Sequence, residues 1–259
     1  MIMRVTSIDW AGALSANYEA SQNFLSERLG LPLQFEAKKS VVSHFRLPSG
    51  QLLELYGPSE QYRAHEKFRW FDGHALGFEV DNLEAAYQQM VDRDVRFIHA
   101  IETWKEDSWC MFLGPENKLF QIQESGPRSP QLQDKNAELL RFSWAGVVMH
   151  DFDGAVRFFS QVMEMPLAQR DDSGASAQFW LPDGHLFEVF GPTHTWSHIM
   201  EQLTIGFYVE DVQQVRAAME DLGVDFVAET ETTPYGHEFA FFRDLDNYLY
   251  ALWKPGEVG

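Results

Sequence analysis

The stretch PDGHLFEVFGP, residues 182–192, repeats the earlier stretch PSGQLLELYGP, residues 48–58. In each copy, turn residues flank an apolar run of the kind that is typical of a β-strand. Each copy also places a single carboxylate, Glu54 or Glu188, in the middle of that run. Because a buried carboxylate is costly unless it is paired or neutralised, these two acids require a partner or a function.

A shift of 134 residues relates the two copies, and it also aligns the segments that precede them. WAGALSANYEASQNFLSERLGLPL, which begins at Trp10, matches WAGVVMHDFDGAVRFFSQVMEMPL, which begins at Trp144. HALGFEVDNLEAAYQQMVDRDVRFI, from His74, matches LTIGFYVEDVQQVRAAMEDLGVDFV, from Leu203, at a shift of 129 residues. The chain is therefore interpreted as a tandem duplication.

The duplication and its turn signals predict two domains joined by a linker without apolar periodicity, namely residues 1–124, the linker 125–138, and residues 139–259. Within each domain, an alternating strand, an amphipathic helix and three further strands occur twice. The sequence therefore predicts an α+β fold built from four β-α-β-β-β units, at about 5–58, 72–124, 141–192 and 202–253.

This pattern resembles the vicinal oxygen chelate superfamily, which includes glyoxalase I, bleomycin resistance proteins and extradiol dioxygenases. The resemblance is carried by the GFEVDNL and GFYVEDV segments and by the Glu-Asn and Asp-Asn turns that precede the last strand of each domain. It covers nearly the whole chain and implies cupped mixed sheets. Because this superfamily hosts many chemistries, the resemblance predicts the fold more strongly than the function.

The resemblance also implies four positions at which a divalent ion is held in a cup. In the N-terminal half these positions are Trp10, Glu54, Ala75 and Gln121, and in the C-terminal half they are Trp144, Glu188, Thr204 and Ala251. Because a lone carboxylate cannot hold an ion that needs several donors, no metal cofactor is expected. The alternative is an ion in the N-terminal cup bound by Glu54, His74 and Gln121, if a β-bulge turns His74 inward.

Each half is expected to form one cup, and strand alternation predicts which side chains line it if the residues at the four metal positions point inward. The C-terminal cup is expected to hold Trp144, His150, Glu188, Phe190, Tyr208 and Trp253, and the N-terminal cup is expected to hold Trp10, Glu54, Tyr56 and Gln121. Glycines such as Gly146 and Gly206 are expected to leave room for a ligand. The alternative is that the aromatic rings pack on each other and close the cups.

Composition restricts the partners and the compartment. The net charge of −19 disfavours nucleic acid and anionic membrane surfaces as partners. No apolar run approaches the roughly 20 residues that span a bilayer, and the first residues lack a signal-peptide pattern, so a cytoplasmic location is expected. The single Cys110 excludes an internal disulfide. With four units in the chain, a monomer or a homodimer is expected.

The first hypothesis is a protein that binds a small, partly aromatic, neutral or cationic molecule without a metal. The second is an isomerase or lyase that uses Glu188 or Glu54 as a general base, with His150 as its proton partner. The third is a metal-dependent glyoxalase or dioxygenase with its ion in the N-terminal cup. A purely structural or partner-binding role is a fourth alternative, in which both acids are held by hydrogen bonds alone.

Overall fold

The computed structural model describes residues 5–38, 41–58, 73–124, 126, 139–193 and 203–256. These residues form two curled mixed sheets with four helices, which confirms the predicted α+β class. The predicted linker lies outside the described residues except for Gly126. None of the described helices is long and apolar enough to cross a membrane.

The strands follow the predicted units closely. They are β1 (Ser7–Leu14), β2 (Leu33–Ala37), β3 (Val42–Arg46), β4 (Leu52–Tyr56), β5 (His74–Val80), β6 (Arg96–Phe97), β7 (Glu102–Trp104), β8 (Asp107–Leu113), β9 (Leu119–Glu124), β10 (Arg141–Val148), β11 (Leu167–Arg170), β12 (Ser176–Trp180), β13 (Leu186–Phe190), β14 (Leu203–Tyr208), β15 (Glu231–Thr232), β16 (Glu238–Arg243) and β17 (Leu249–Lys254). The helices are α1 (Tyr18–Asn23), α2 (Leu83–Asp92), α3 (Phe152–Arg157) and α4 (Val212–Asp221).

Equivalent helices begin and end in the same way. An Asn or Asp side chain accepts a backbone N–H at the start of each helix, which satisfies a group that has no partner inside the helix. Helices α1 and α3 each continue into one π-helical segment, at Phe24–Arg28 and Phe158–Val162. The shared irregularity shows that the duplication extends to backbone detail.

The two sheets combine units from different halves of the chain. The first sheet has the order β15-β16-β17-β14-β1-β4-β3-β2, so the first unit pairs with the fourth. The second sheet has the order β11-β12-β13-β10-β5-β9-β8-β6, with β7 paired to β8, so the second unit pairs with the third. The expectation that each half forms its own cup is therefore wrong, because β1 joins β14 and β10 joins β5 across the duplication.

The main core lies between the sheets and the helices. Phe159, which follows α3, packs against Phe187 of the second sheet, with ring centroids 4.7 Å apart, and against Tyr250 of the first sheet, at 5.7 Å. His74 of β5 also meets Tyr250, at 4.6 Å. The opposite face of each sheet carries a smaller apolar cluster that includes Trp10 or Trp144. These opposite faces are the cups.

A pair of equivalent turn residues joins the two sheets. Gln51, from the PSGQ turn, accepts the backbone N–H of Phe142 at 2.6 Å, and His185, from the PDGH turn, accepts that of Ile8 through Nδ1 at 3.0 Å. Gln51 Nε2 and His185 Nε2 lie 3.0 Å apart, where the two halves meet. Each half therefore supports the first strand of the other half through its repeated turn.

Candidate functional site

Both carboxylates of the repeated strands accept a hydrogen bond from an indole. Trp10 Nε1 donates to Glu54 Oε2 at 2.8 Å, and Trp144 Nε1 donates to Glu188 Oε2 at 2.6 Å. In each case the residue with the carboxylate pairs with a glycine of the neighbouring parallel strand, and this glycine lies two residues after the tryptophan. The repeated sequence therefore builds the same pair of groups in both cups.

The glycines make room for these indoles. A Cβ atom at Gly146 would lie 2.5 Å from the Trp144 ring, and a Cβ atom at Gly206 would lie 3.0 Å from the Trp10 ring. The expectation that these glycines leave space for a ligand is therefore wrong, because the protein's own indoles occupy that space.

The first cup, which is the face of the first sheet around Glu54, is filled by its own rings. Trp10 stacks on Trp253, with centroids 6.1 Å apart, and meets the edge of Phe241 at 5.8 Å. His237 packs on the same Trp253 at 5.0 Å, and its Nδ1 accepts the backbone N–H of Gly256 at 2.7 Å. A cavity of about 80 Å³ is left beside these rings. Self-packing of the aromatic residues, which was one of the alternatives, thus describes this cup.

Glu54 is surrounded by hydrogen-bond donors. His44 Nε2 lies 3.0 Å from Glu54 Oε1, and the Tyr56 hydroxyl and Trp10 Nε1 donate to Oε2. Burial alone would raise the pKa of Glu54, but the hydrogen bonds and the charge of His44 outweigh it and hold this pKa below its ordinary value. Glu54 is therefore held as a paired carboxylate.

The second cup, which is the face of the second sheet around Glu188, is open. It contains a cavity of about 510 Å³, which is within the range of small-molecule sites. Indole rings form much of its wall, from Trp104, Trp109, Trp144 and Trp180. Four carboxamides also line it, from Gln121, Gln123, Gln169 and Gln178. Its charged groups are mostly acidic, with Glu106, Asp107, Glu124 and Glu188 against Lys105.

Glu188 has fewer donors than Glu54. Gln178 Nε2 donates to Glu188 Oε1 at 2.7 Å, and Trp144 donates to Oε2. Phe190 occupies the position of Tyr56 in the repeat and has no hydroxyl to donate. Burial raises the pKa of Glu188 despite these two hydrogen bonds, and the negative charge of Asp107 raises it further. The second carboxyl group is thus more readily protonated than the first.

The structure regroups the predicted ligand-binding residues. Trp10, Glu54, Tyr56 and Trp253 lie in the first cup, and Gln121, Trp144, Glu188 and Phe190 lie in the second. Tyr208 pairs with Trp253 in the first sheet and is partly buried. The prediction that each half collects its own set of residues in one cup is therefore wrong, although most of the predicted residues face a cup.

His150 does not line a cup. Strand β10 ends at Val148, and the His150 side chain is 82% exposed. Its backbone N–H donates to the Asp246 carboxylate, and the equivalent Ala16 N–H donates to Glu116 at 2.8 Å. The backbone N–H at this position therefore links one unit to the next by a hydrogen bond. The prediction of His150 as a cup residue is wrong.

The donors present in the two cups do not fit a divalent ion. Regrouped by sheet, the four family positions are Trp10, Glu54, Thr204 and Ala251 in the first cup and Ala75, Gln121, Trp144 and Glu188 in the second. The first set offers one carboxylate, and the second offers one carboxylate whose two oxygens already accept hydrogen bonds, together with one amide. A protein site for a hard or borderline cation normally supplies more donors than this.

The alternative ion site of Glu54, His74 and Gln121 is also wrong. Glu54 and Gln121 belong to different cups. The His74 ring lies on the core face of β5, where its Nδ1 is 3.0 Å from the Leu203 carbonyl oxygen and its ring meets Tyr250. No bulge turns it toward Ala75.

A different group of potential metal ligands lies at the junction of the halves. Ligand atoms of Asp9, Asp183 and His185 all lie within 4.8 Å of one another. His185 Nδ1 is 2.8 Å from Asp183, and both of its ring nitrogens contact other junction groups. This group was not predicted from the sequence, because Asp9 and the PDGH turn belong to different repeats.

Solved structures of low identity share this fold. A provisionally assigned dioxygenase from Bacillus subtilis subsp. subtilis str. 168 is 13% identical, with a TM-score of 0.75 over 98% of this chain and 87% of that chain. Glyoxalase I from Zea mays is 13% identical, with a TM-score of 0.68 over 96% of this chain and 92% of that chain. At this identity, the likeness shows the fold alone. A search of curated proteins found no match.

A family model assigns the sequence more directly. The model of the Glyoxalase/Bleomycin resistance protein/Dioxygenase superfamily matches residues 7–122 and again residues 141–252. The two matches correspond to the two halves of the duplication and leave out the predicted linker. The chain therefore belongs to the glyoxalase/bleomycin resistance protein/dioxygenase superfamily, as two tandem modules.

Proposed function

We propose that this chain binds a small, partly aromatic organic cation in the second cup, without a metal ion. The observation that carries this proposal is the open cavity of about 510 Å³, which is lined by the half-buried carboxyl group of Glu188 and by indole rings. Indole faces attract cations by about 0.5–2 kcal/mol per contact. A cavity of this kind offers a cationic ring both apolar burial and a counter-ion.

The charges around the cavity favour a cation over an anion. Glu106, Asp107 and Glu124 line it together with Glu188, and Lys105 is the cation among its lining residues. The net charge of −19 adds a long-range attraction for positive ligands. A bound cation would also stabilise the ionised form of Glu188, whose pKa is raised in the unliganded protein.

Calorimetry with benzyltrimethylammonium tests this proposal, because this probe combines an aromatic ring with a permanent charge. The Glu188→Gln variant is expected to bind the probe about tenfold to a hundredfold more weakly than the unchanged protein, because it removes a charge-assisted contact. The matched control is Glu54→Gln, the same substitution in the filled cup, which should bind the probe normally once circular dichroism shows that it is folded.

Two results would contradict the binding proposal. One is that the unchanged protein does not bind benzyltrimethylammonium or any other aromatic ammonium probe. The other is that both Gln variants bind as tightly as the unchanged protein, which would place the ligand elsewhere. Elemental analysis of the same purified sample adds a third check, because a stoichiometric transition metal would contradict the metal-independent site.

Acid–base catalysis by Glu188 is a second candidate function. The observation that favours it is the raised pKa of a carboxyl group beside an apolar cavity, since such a group can accept a proton from a carbon acid near neutral pH. His150 cannot serve as the proton partner in this cavity because its side chain is exposed elsewhere. Acetylacetone in D2O is a suitable probe. Catalysis would be supported if deuterium is incorporated faster with the protein than in buffer alone and if the Glu188→Gln variant loses this acceleration.

A further inference from the structure

Gln178 and His44 hold the same position in the two cups. His44 lies directly opposite Glu54 on the neighbouring strand, and Gln178 lies directly opposite Glu188. Each of them contacts the Oε1 atom of its carboxyl group, at 3.0 Å and 2.7 Å respectively. The duplication therefore provides an internal comparison in which one partner of a buried acid is an imidazole and the other is a carboxamide.

The indole of Trp144 determines where Glu188 can carry a proton. An indole N–H can only donate, and Trp144 Nε1 donates to Glu188 Oε2 at 2.6 Å. Because Oε2 already accepts this short hydrogen bond, a proton on Glu188 is best accommodated on Oε1, the atom that contacts Gln178. If Oε1 were protonated, its O–H group would face the NH2 group of Gln178, so that two donors would meet without an acceptor. The conflict is removed when the amide rotates by half a turn and offers its oxygen.

We propose that Gln178 is the specificity-determining residue of the second cup, and that its amide turns as Glu188 gains or loses its proton. With Glu188 ionised, the amide donates to Oε1 and presents its carbonyl oxygen to the cavity. With Glu188 protonated, the amide accepts from Oε1 and presents its NH2 group. This inference rests on the binding function proposed above and names its ligand class, which is cations that carry N–H donors.

Binding of such a cation is then coupled to proton release. A ligand N–H donates to Gln178 Oε1, the cation pairs with the ionised Glu188, and the proton leaves Glu188 for the solvent. The amide is suited to this change because its two ends have opposite hydrogen-bonding character in nearly the same shape. In the first cup, Tyr56 and Trp10 both donate to Glu54 Oε2, and the pair of Glu54 with His44 stays fixed.

The other charged groups of the cavity act on any cation alike. Lys105, Glu106, Asp107 and Glu124 line the same space, and Asp107 acts on Glu188 through its charge. Two cations of the same charge and similar size interact with these charged groups almost equally. The ratio of their affinities therefore isolates the hydrogen bond to Gln178.

The test compares benzamidinium, which has N–H donors, with benzyltrimethylammonium, which has none. Near pH 8, calorimetry is expected to show that benzamidinium binds the unchanged protein about fivefold to tenfold more tightly, the worth of one hydrogen bond. This ratio should shrink toward one as the pH is lowered and Glu188 is protonated. In Gln178→Met, which keeps the shape but has no amide, the ratio should be close to one at every pH.

A structural role for Gln178 would give a different result. If the amide only supports the cup, Gln178→Met weakens both probes by the same factor and leaves their ratio unchanged, and that outcome would overturn the proposal. Gln178→His copies the first cup and is expected to keep Glu188 ionised to lower pH, so that probe affinity should fall at a lower pH than in the unchanged protein.

A measurement without ligand separates this proposal from the binding function. The Trp144 indole N–H signal in NMR reports the ionisation of Glu188, because the two groups are hydrogen-bonded. Its titration midpoint should move to lower pH in Gln178→His and to higher pH in Gln178→Met. If neither probe binds but these midpoints move, the cation-binding function fails and the amide coupling stands. If the midpoints do not move, the coupling is wrong even where the probes bind.

Discussion

The two cups contain the same Trp and Glu pair, yet one is closed and the other is open. In the first cup, Trp253 stacks on Trp10 and leaves about 80 Å³. Gln123 occupies the equivalent place in the second sheet, where it pairs with Glu79 in the way that Trp253 pairs with Tyr208. The cavity of the second cup is about 510 Å³. The comparison shows that the cavity depends on the residues of the partner unit rather than on the repeated strand that holds the carboxylate.

The carboxylates themselves differ through two substitutions. His44 and Tyr56 in the first cup correspond to Gln178 and Phe190 in the second. The first pair lowers the pKa of the acid that it contacts, and the second pair leaves the pKa of Glu188 raised by burial. Thus the same carboxylate has a lowered pKa in one sheet, where three donors contact it, and a raised pKa in the other.

Opening the closed cup is expected to have the largest effect. Trp253→Gln copies Gln123 into the first sheet, and it should lower the free energy of unfolding by about 3 kcal/mol, because it removes a buried indole that packs on Trp10. Urea denaturation measures this change. The reciprocal Gln123→Trp should fill the second cup, with a smaller effect on stability and loss of benzyltrimethylammonium binding. A stable Trp253→Gln variant would show that the stacked rings contribute little.

The two carboxylates are expected to give stability profiles of opposite sign with pH. The folded-state pKa of Glu54 is below its unfolded value, so its contribution is present above the unfolded pKa and lost as the pH falls through the folded pKa. The folded-state pKa of Glu188 is above its unfolded value, so the native state loses stability as the pH rises from the unfolded pKa to the folded pKa.

Urea denaturation near pH 7 should therefore separate the two Gln variants. Glu54→Gln should lower the free energy of unfolding by about 1–3 kcal/mol, because it removes the charge that His44, Tyr56 and Trp10 compensate. Glu188→Gln should leave it unchanged or raise it by about 1 kcal/mol. Equal losses of stability in both variants at this pH would contradict the conclusion that the two carboxylates differ in their environment.

The smallest expected effect comes from a single hydroxyl. Phe190→Tyr copies Tyr56 into the second cup and offers Glu188 a third donor, as in the first cup. The pKa of Glu188 should fall, and the stability of the protein should change by less than about 1 kcal/mol. The Trp144 indole signal during a pH titration checks this expectation. An unchanged titration would show that the ring at this position does not reach the carboxyl group.

The repeat pattern predicted the fold class and the residues at the centre of both cups. It could not predict which units share a sheet, because alternation along β1 or β10 is the same whichever strand lies beside it. The error in pairing placed Gln121 with Glu54 and Trp253 with Glu188. His150 was misplaced for a related reason, since periodicity does not show where β10 ends. The sequence did not predict the raised pKa of Glu188, because burial, which raises it most, and the contributions of Gln178 and Asp107 depend on strands that come together only in the fold.

The contact between Gln51 and His185 joins the two halves of the chain, and this junction limits how the chain can change during evolution. Each half of the chain contributes one unit to each sheet, so a truncated copy would lack part of both cups rather than all of one. The cups, however, draw on non-overlapping pairs of units. Mutations in the first and fourth units can close one cup while the second and third units keep the other open. Duplication in this arrangement thus joins the halves in folding and leaves the two cups free to diverge.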